Sequence, residues 1–138
     1  MHLFTKTELA TLVRQGSESA TGNGTTPDHR PVVKLFAPRG GATWILTEYH
    51  PATDQLFGLC DLGQGSPELG FVSYNELLFH AGTGAIERDR SFKPAHPISL
   101  YAQAARIAGH VIEVGIPGWI ATETRATAMR GEKTFGQV

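Results

Sequence analysis

Apolar residues recur at helical spacing near the start of the chain and at alternating positions through its middle. Leu9, Leu12 and Val13 fall on one helical face, with Leu3 or Phe4 ahead of them. Thr5 followed by Glu8 is a capping-box pattern, and Gly16 can close the helix. The spacing therefore predicts an N-terminal helix over residues 1–15. Residues 16–31 carry Gly, Ser and Thr with almost no apolar side chain, which reads as a polar loop.

Residues 32–73 hold most of the bulky apolar side chains. Four runs rich in β-branched and aromatic residues predict strands at Val32–Phe36, Thr43–Tyr49, Leu56–Leu62 and Leu69–Ser73. Gly, Pro and Asp punctuate the gaps. Connections this short join antiparallel neighbours, so the stretch reads as a meander. A tight turn at 38–41 sets Leu35 beside Trp44 and Val33 beside Leu46. A turn at 50–55 sets Leu46 beside Leu59 and Trp44 beside Asp61. One face then carries Val33, Leu35, Trp44, Leu46, Phe57 and Leu59, the expected core. The other carries Val32, Lys34, Phe36, Thr43, Ile45, Thr47 and Cys60, expected to be mixed and half exposed.

Residues 74–109 read as helix, edge segment and helix. Ser73 with Glu76 three residues on caps a short helix, and Ile86-Glu87-Arg88-Asp89-Arg90 suits a charged sheet edge. Ser99 is the expected cap of a helix to Ala108, stopped by Gly109. Residues 110–138 form a variable C-terminal part, with a candidate strand at Val111–Val114, a turn ending at Trp119 and a weak helix or a frayed tail over Thr122–Arg130. The whole is a single α+β domain: an antiparallel four- to five-stranded meander with helices packed mainly on one face. A chain of 138 residues is long enough to bury an ordinary core.

Charge and cysteine content narrow the setting. Twelve basic and thirteen acidic residues leave a net charge of −1, which gives no bulk attraction to nucleic acid or anionic membrane. The lone Cys60 cannot form an internal disulfide, which fits a reducing cytoplasm. No signal-peptide pattern and no apolar run of membrane-spanning length is expected to place the protein elsewhere.

The ordered segments Val32-Val33-Lys34-Leu35-Phe36, Thr43-Trp44-Ile45-Leu46-Thr47-Glu48, Phe57-Gly58-Leu59-Cys60-Asp61-Leu62-Gly63, Pro67-Glu68-Leu69-Gly70-Phe71-Val72-Ser73 and Ile86-Glu87-Arg88-Asp89 carry a resemblance. In this order they are similar to small bacterial proteins of the domain of unknown function 2958 family, over about residues 32–108. The resemblance implies no established activity. It implies an accessory protein of plasmids and integrated mobile elements, acting on the host or in counter-defence.

Candidate chemistry is sparse. Asp61 and Glu68 could converge across the 63–67 loop as an acid–base pair, with Arg88 as an electrophilic helper. Asp61 could equally fix that loop as a hydrogen-bond acceptor. Glu48 and Asp61 lie too far apart along paired strands to work together. The 63–70 glycines follow a strand but lack the lysine and the helix of a phosphate loop. Cys60, mid-strand, has no histidine nearby in sequence. The six histidines form no ligand pair, so neither a metal nor a cofactor is expected. Glu87 to Arg90 reads as a local charge network before a recognition rim.

Two function classes follow. The first is a non-enzymatic protein-interaction module with a host or element-encoded partner, using Lys34, Phe36, Arg39, Glu87, Arg90 and Trp119. The second is a small hydrolase or transferase using Asp61, Glu68 and Arg88. Single-stranded nucleic-acid binding through Lys34, Arg39 and aromatics is a weaker third.

Overall fold

One open antiparallel sheet of five strands, in the order β4-β3-β2-β1-β5, organises the computed structural model, which describes residues 3–21, 27–113, 115, 116 and 120. Helix α1 spans Lys6–Thr21. The meander follows as β1 (Val33–Phe36), β2 (Thr43–His50), β3 (Gln55–Asp61) and β4 (Glu68–Ser73). Then come α2 (Tyr74–Gly82), the two-residue β5 (Glu87–Arg88) and α3 (Ile98–Ala108). The α+β meander read from the pattern is present, with β5 paired to β1 at one edge.

Helix α1 starts where its cap dictates. The Thr5 hydroxyl accepts from the Glu8 N–H, and the Glu8 carboxylate accepts from the Thr5 N–H. It does not stop at Gly16. The helix runs on to Thr21, because Gly16 is a packing notch. A Cβ there would sit 2.4 Å from the Tyr49 carbonyl oxygen. Helix α3 is also capped differently from expectation. Pro97 is its N-cap, and the Asp28 carboxylate accepts from the Ser99 N–H and hydroxyl. Gly109 ends it in the left-handed region, at φ 83°.

The β1–β2 register is as read: Val33 faces Leu46 and Leu35 faces Trp44. The β2–β3 register departs from the reading. Glu48 pairs with Phe57 but Leu46 pairs with Gly58, leaving Thr47 as an extra residue in a β-bulge. Beyond a bulge the alternation reverses. Ile45, not Leu46, therefore sits beside Leu59, and Trp44 sits beside Cys60. The buried Thr47 is satisfied in place. Its carbonyl accepts from Gln15 Nε2 at 2.6 Å and its hydroxyl donates to the Phe57 carbonyl.

The bulge splits the apolar residues between two cores. Val33, Leu35, Trp44, Leu46 and Leu56 pack under α1 and α2. Ile45 and Leu59 pack under α3, with Tyr101, Ala104 and Ala105. Trp44 and Leu59 are both buried but on opposite faces. On the face expected to be half exposed, Ile45 and Thr47 are buried while Val32, Lys34, Phe36, Thr43 and Cys60 are half-buried. Phe57, expected in the core, is half-buried as well. Each fully enclosed leucine, such as Leu35 or Leu59, contributes about 1.5–3 kcal/mol.

The β2–β3 turn is tied to α2 through Asp54, which adopts φ 56°. Its carboxylate accepts from the Ser73 hydroxyl, the Asn75 N–H and the Tyr49 hydroxyl. Its carbonyl accepts from the Tyr74 N–H. The Asn75 N–H, ahead of the two hydroxyls, holds the carboxyl below its usual range.

Candidate functional site

The register decides whether the candidate acids meet. Glu68 lies directly opposite Cys60, so its side chain shares the Cys60 face. Asp61, the next residue of β3, points to the other face, toward α3. It is 3% exposed and fully engaged: Oδ1 accepts from the Gly63 N–H at 2.8 Å and Oδ2 from the Val111 N–H at 3.1 Å. Arg88 lies on β5, at the opposite sheet edge from Glu68. Four strand spacings separate those edges, about 19 Å. The three side chains do not form one site.

Arg88 instead braces the first helix. Its guanidinium donates to both Glu8 oxygens, each at 2.8 Å, and to the Leu3 carbonyl at 3.1 Å. Burial pushes the Glu8 carboxyl up. The Arg88 hydrogen bonds, the Thr5 N–H and the Arg88 charge outweigh it, so the group titrates below its ordinary value of 4.5. A depressed carboxyl stabilises the fold above the unfolded pKa and loses that contribution as pH falls through the folded one. Arg88→Gln is therefore expected to cost about 1 kcal/mol at neutral pH, since both partners are partly solvated. The deficit should shrink in urea titrations taken progressively below pH 4.5. A deficit independent of pH would show that Arg88 acts through packing alone.

Of the expected interaction residues, Lys34 and Phe36 lie on β1 and Glu87 on β5, where Phe36 pairs with Glu87. The Lys34 ammonium donates to Asp89 at 3.1 Å and Glu113 at 2.7 Å. Burial pulls its pKa down, and these two acids more than restore it. Arg88 and Asp89 are thus answered by distant residues, Glu8 and Lys34, and not by each other. Phe36 is half-buried between Thr43 and Glu87. Arg39, Glu87 and Arg90 are exposed. Two clefts, of about 540 and 410 Å³, flank Arg88 and Arg90. Trp119 lies outside the described residues, as does the segment 122–130. Burial pushes the Cys60 thiol up to about 11, so it stays protonated at neutral pH.

Three of the four exposed large apolar side chains among the described residues lie beside β4; the fourth is Phe79 of α2. Leu62 is 60% exposed, Leu69 40% and Phe71 57%. Phe71 rests on Phe57 with ring centroids 5.0 Å apart, and the His50 ring stands edge-on to it at 5.9 Å. Strand β4 ends the sheet, and among the described residues no strand pairs with its outer side. A hollow of about 180 Å³ opens between Cys60, Leu62, Glu68, Leu69 and Phe71. The reading of the sequence missed this surface. Its signal was the alternation Leu69-Gly70-Phe71-Val72, where Val72 faces the α1/α2 core and its neighbours face away.

Among the described residues no three His, Cys, Asp or Glu side chains group so as to hold a metal ion. No described helix is long and apolar enough to cross a membrane. Residues 3–112 match the model of a family described as a protein of unknown function, DUF2958. No curated protein and no solved structure matches the chain.

Proposed function

Since the chain belongs to the domain of unknown function 2958 family, whose description assigns no activity, we propose that it is a non-enzymatic protein-interaction module that binds through the β4 edge. The supporting observation is the exposure of Leu62, Leu69 and Phe71 beside a strand with an open side. An open edge offers a row of backbone donors and acceptors, and extended segments bind by adding a strand there. The side chains define the occupant. It is an extended segment of another protein, with apolar residues two apart to meet Leu69 and Phe71. A basic residue on it would face Glu68, the one charge of β4. The partner is a cytoplasmic protein of the bacterial host, in defence or replication, or one encoded by the mobile element. The family resemblance supports that context.

Affinity capture from a bacterial host, followed by binding of the purified partner, tests the reading. Phe71 is the expected anchor, and Phe71→Glu should weaken binding by at least about 30-fold, as loss of a hot spot does. Its fold should persist, because the ring is more than half exposed. Partners retained in full by both Phe71→Glu and Leu69→Lys would overturn it.

A further inference from the structure

Strand β4 is self-complementary, and we infer that, when no other partner is bound, two copies of the chain pair β4 against β4 around a two-fold axis through Gly70. The inference rests on the reading of β4 as the contact edge and adds the identity of one occupant. An antiparallel pair of identical edges has its two-fold axis perpendicular to the sheet, so each residue meets one on the same face. Only registers centred on a residue satisfy this. Centred on Gly70, Leu69 meets Phe71 of the second copy, and Phe71 meets its Leu69. Centred on Leu69, Phe71 would face Pro67. Centred on Phe71, Leu69 would face Ser73. Only the Gly70 register sets both large exposed side chains against each other.

Charge and space agree with that register. Glu68, the single charge of β4, meets Val72 of the second copy and never its own image. Gly70 carries no side chain and has no atom within 4 Å of where a Cβ would stand, so nothing on that face crowds the Gly70 pair at the axis. No Lys, Pro or bulge interrupts β4 to discourage pairing. The product is a continuous ten-stranded sheet in which each copy shields the other's binding edge. Such a small interface is expected to be transient, with a Kd on the order of micromolar. Any partner that adds a strand to β4 must compete with it.

Cysteine cross-linking reads the register directly. Residues directly opposite in an antiparallel pair have Cα atoms about 4.5–5.5 Å apart, within reach of a disulfide. In a Cys60→Ser background, Gly70→Cys should give disulfide-linked dimers under mild oxidant at least ten times faster than Gly82→Cys, an exposed control position. Leu69→Cys alone should form no disulfide-linked dimer, and mixed with Phe71→Cys it should cross-link. Sedimentation equilibrium should show wild type self-associating and Phe71→Glu monomeric. Equal rates for Gly70→Cys and Gly82→Cys, or a monomer at every concentration, would overturn self-pairing. If Phe71→Glu still lost its other partner in that case, the proposed function would stand alone. Cross-linking at Gly70 with partner capture unaffected by Phe71→Glu would leave self-pairing in place and remove β4 as the partner's binding edge.

Discussion

Gly58→Ala is expected to cost more than about 4 kcal/mol, a value reserved for substitutions that break a defined structural feature. A Cβ at Gly58 would sit 2.0 Å from the Ile45 carbonyl oxygen, 2.8 Å from Leu46 Cα and 2.9 Å from the Ile45 carbonyl carbon. All three are backbone atoms of β2, at the level of the Thr47 bulge. They cannot yield as a flexible side chain does. β2 is held there by β1 on one side and by the Gln15 bond to Thr47 on the other. Gly58 itself lies between β2 and β4 and has no outward route. A domain of this kind is stable by only about 5–15 kcal/mol, so much of the margin would go. Gly70, paired directly with Gly58, is the control. Its Cβ would meet open space, and Gly70→Ala should change stability by less than about 1 kcal/mol. Urea denaturation of both variants, at concentrations low enough to keep the chain monomeric, decides. A Gly58→Ala variant as stable as Gly70→Ala would mean that the bulge does not lie where it is placed.

That bulge also marks where reading from the sequence ran out. The order and pairing of the meander were legible, because alternation and short turns leave few alternatives. Val33 to Leu46 and Leu35 to Trp44 follow from counting out of one tight turn. Thr47 broke the count without a signal. A β-branched residue is ordinary in a strand, and nothing local marks it as the extra one. Its place is set by Gln15, 32 residues away, and by the helix that carries it. One uncounted residue moved Phe57 and Leu59 to the face opposite Trp44 and brought Leu56 and Cys60 to its side. Gly16 misled in the same way. A glycine late in a helical pattern reads as a stop, yet here it lets α1 lie against β2.

The candidate site was less legible still. Alternation along β4 shows that Leu69 and Phe71 share a face, but their exposure depends on how far α3 reaches across that face. The partners of Arg88 and Lys34 lie 80 and 55 residues away for Glu8 and Asp89. Alternating signs along 87–90 suggested local pairing because sequence distance was the only distance on view. What the residues did allow was an acceptor role for Asp61, since a carboxylate before a Gly-rich turn commonly takes the N–H two residues on.

The Asp61 geometry leads to a second large effect. Asp61→Ala is expected to cost about 2–4 kcal/mol, because two N–H groups lose their acceptor in a buried setting. The Gly63 N–H would open the turn between β3 and β4. The Val111 N–H would release the segment after α3, which is otherwise anchored by the fully buried Ile116. Asp61→Asn should fall between. Its amide oxygen can still accept one N–H, but its NH2 group faces a second donor and repels it. Hydrogen exchange offers a specific readout. In Asp61→Ala the Gly63 and Val111 amides should lose protection before the central strands do, as a local opening. A chemically active Asp61 makes a different demand. Its variants would melt as wild type does while whatever the protein does is lost. The side chain is shut away from Glu68 by the sheet itself and spends both oxygens on the backbone, so thermal stability and function are expected to fall together.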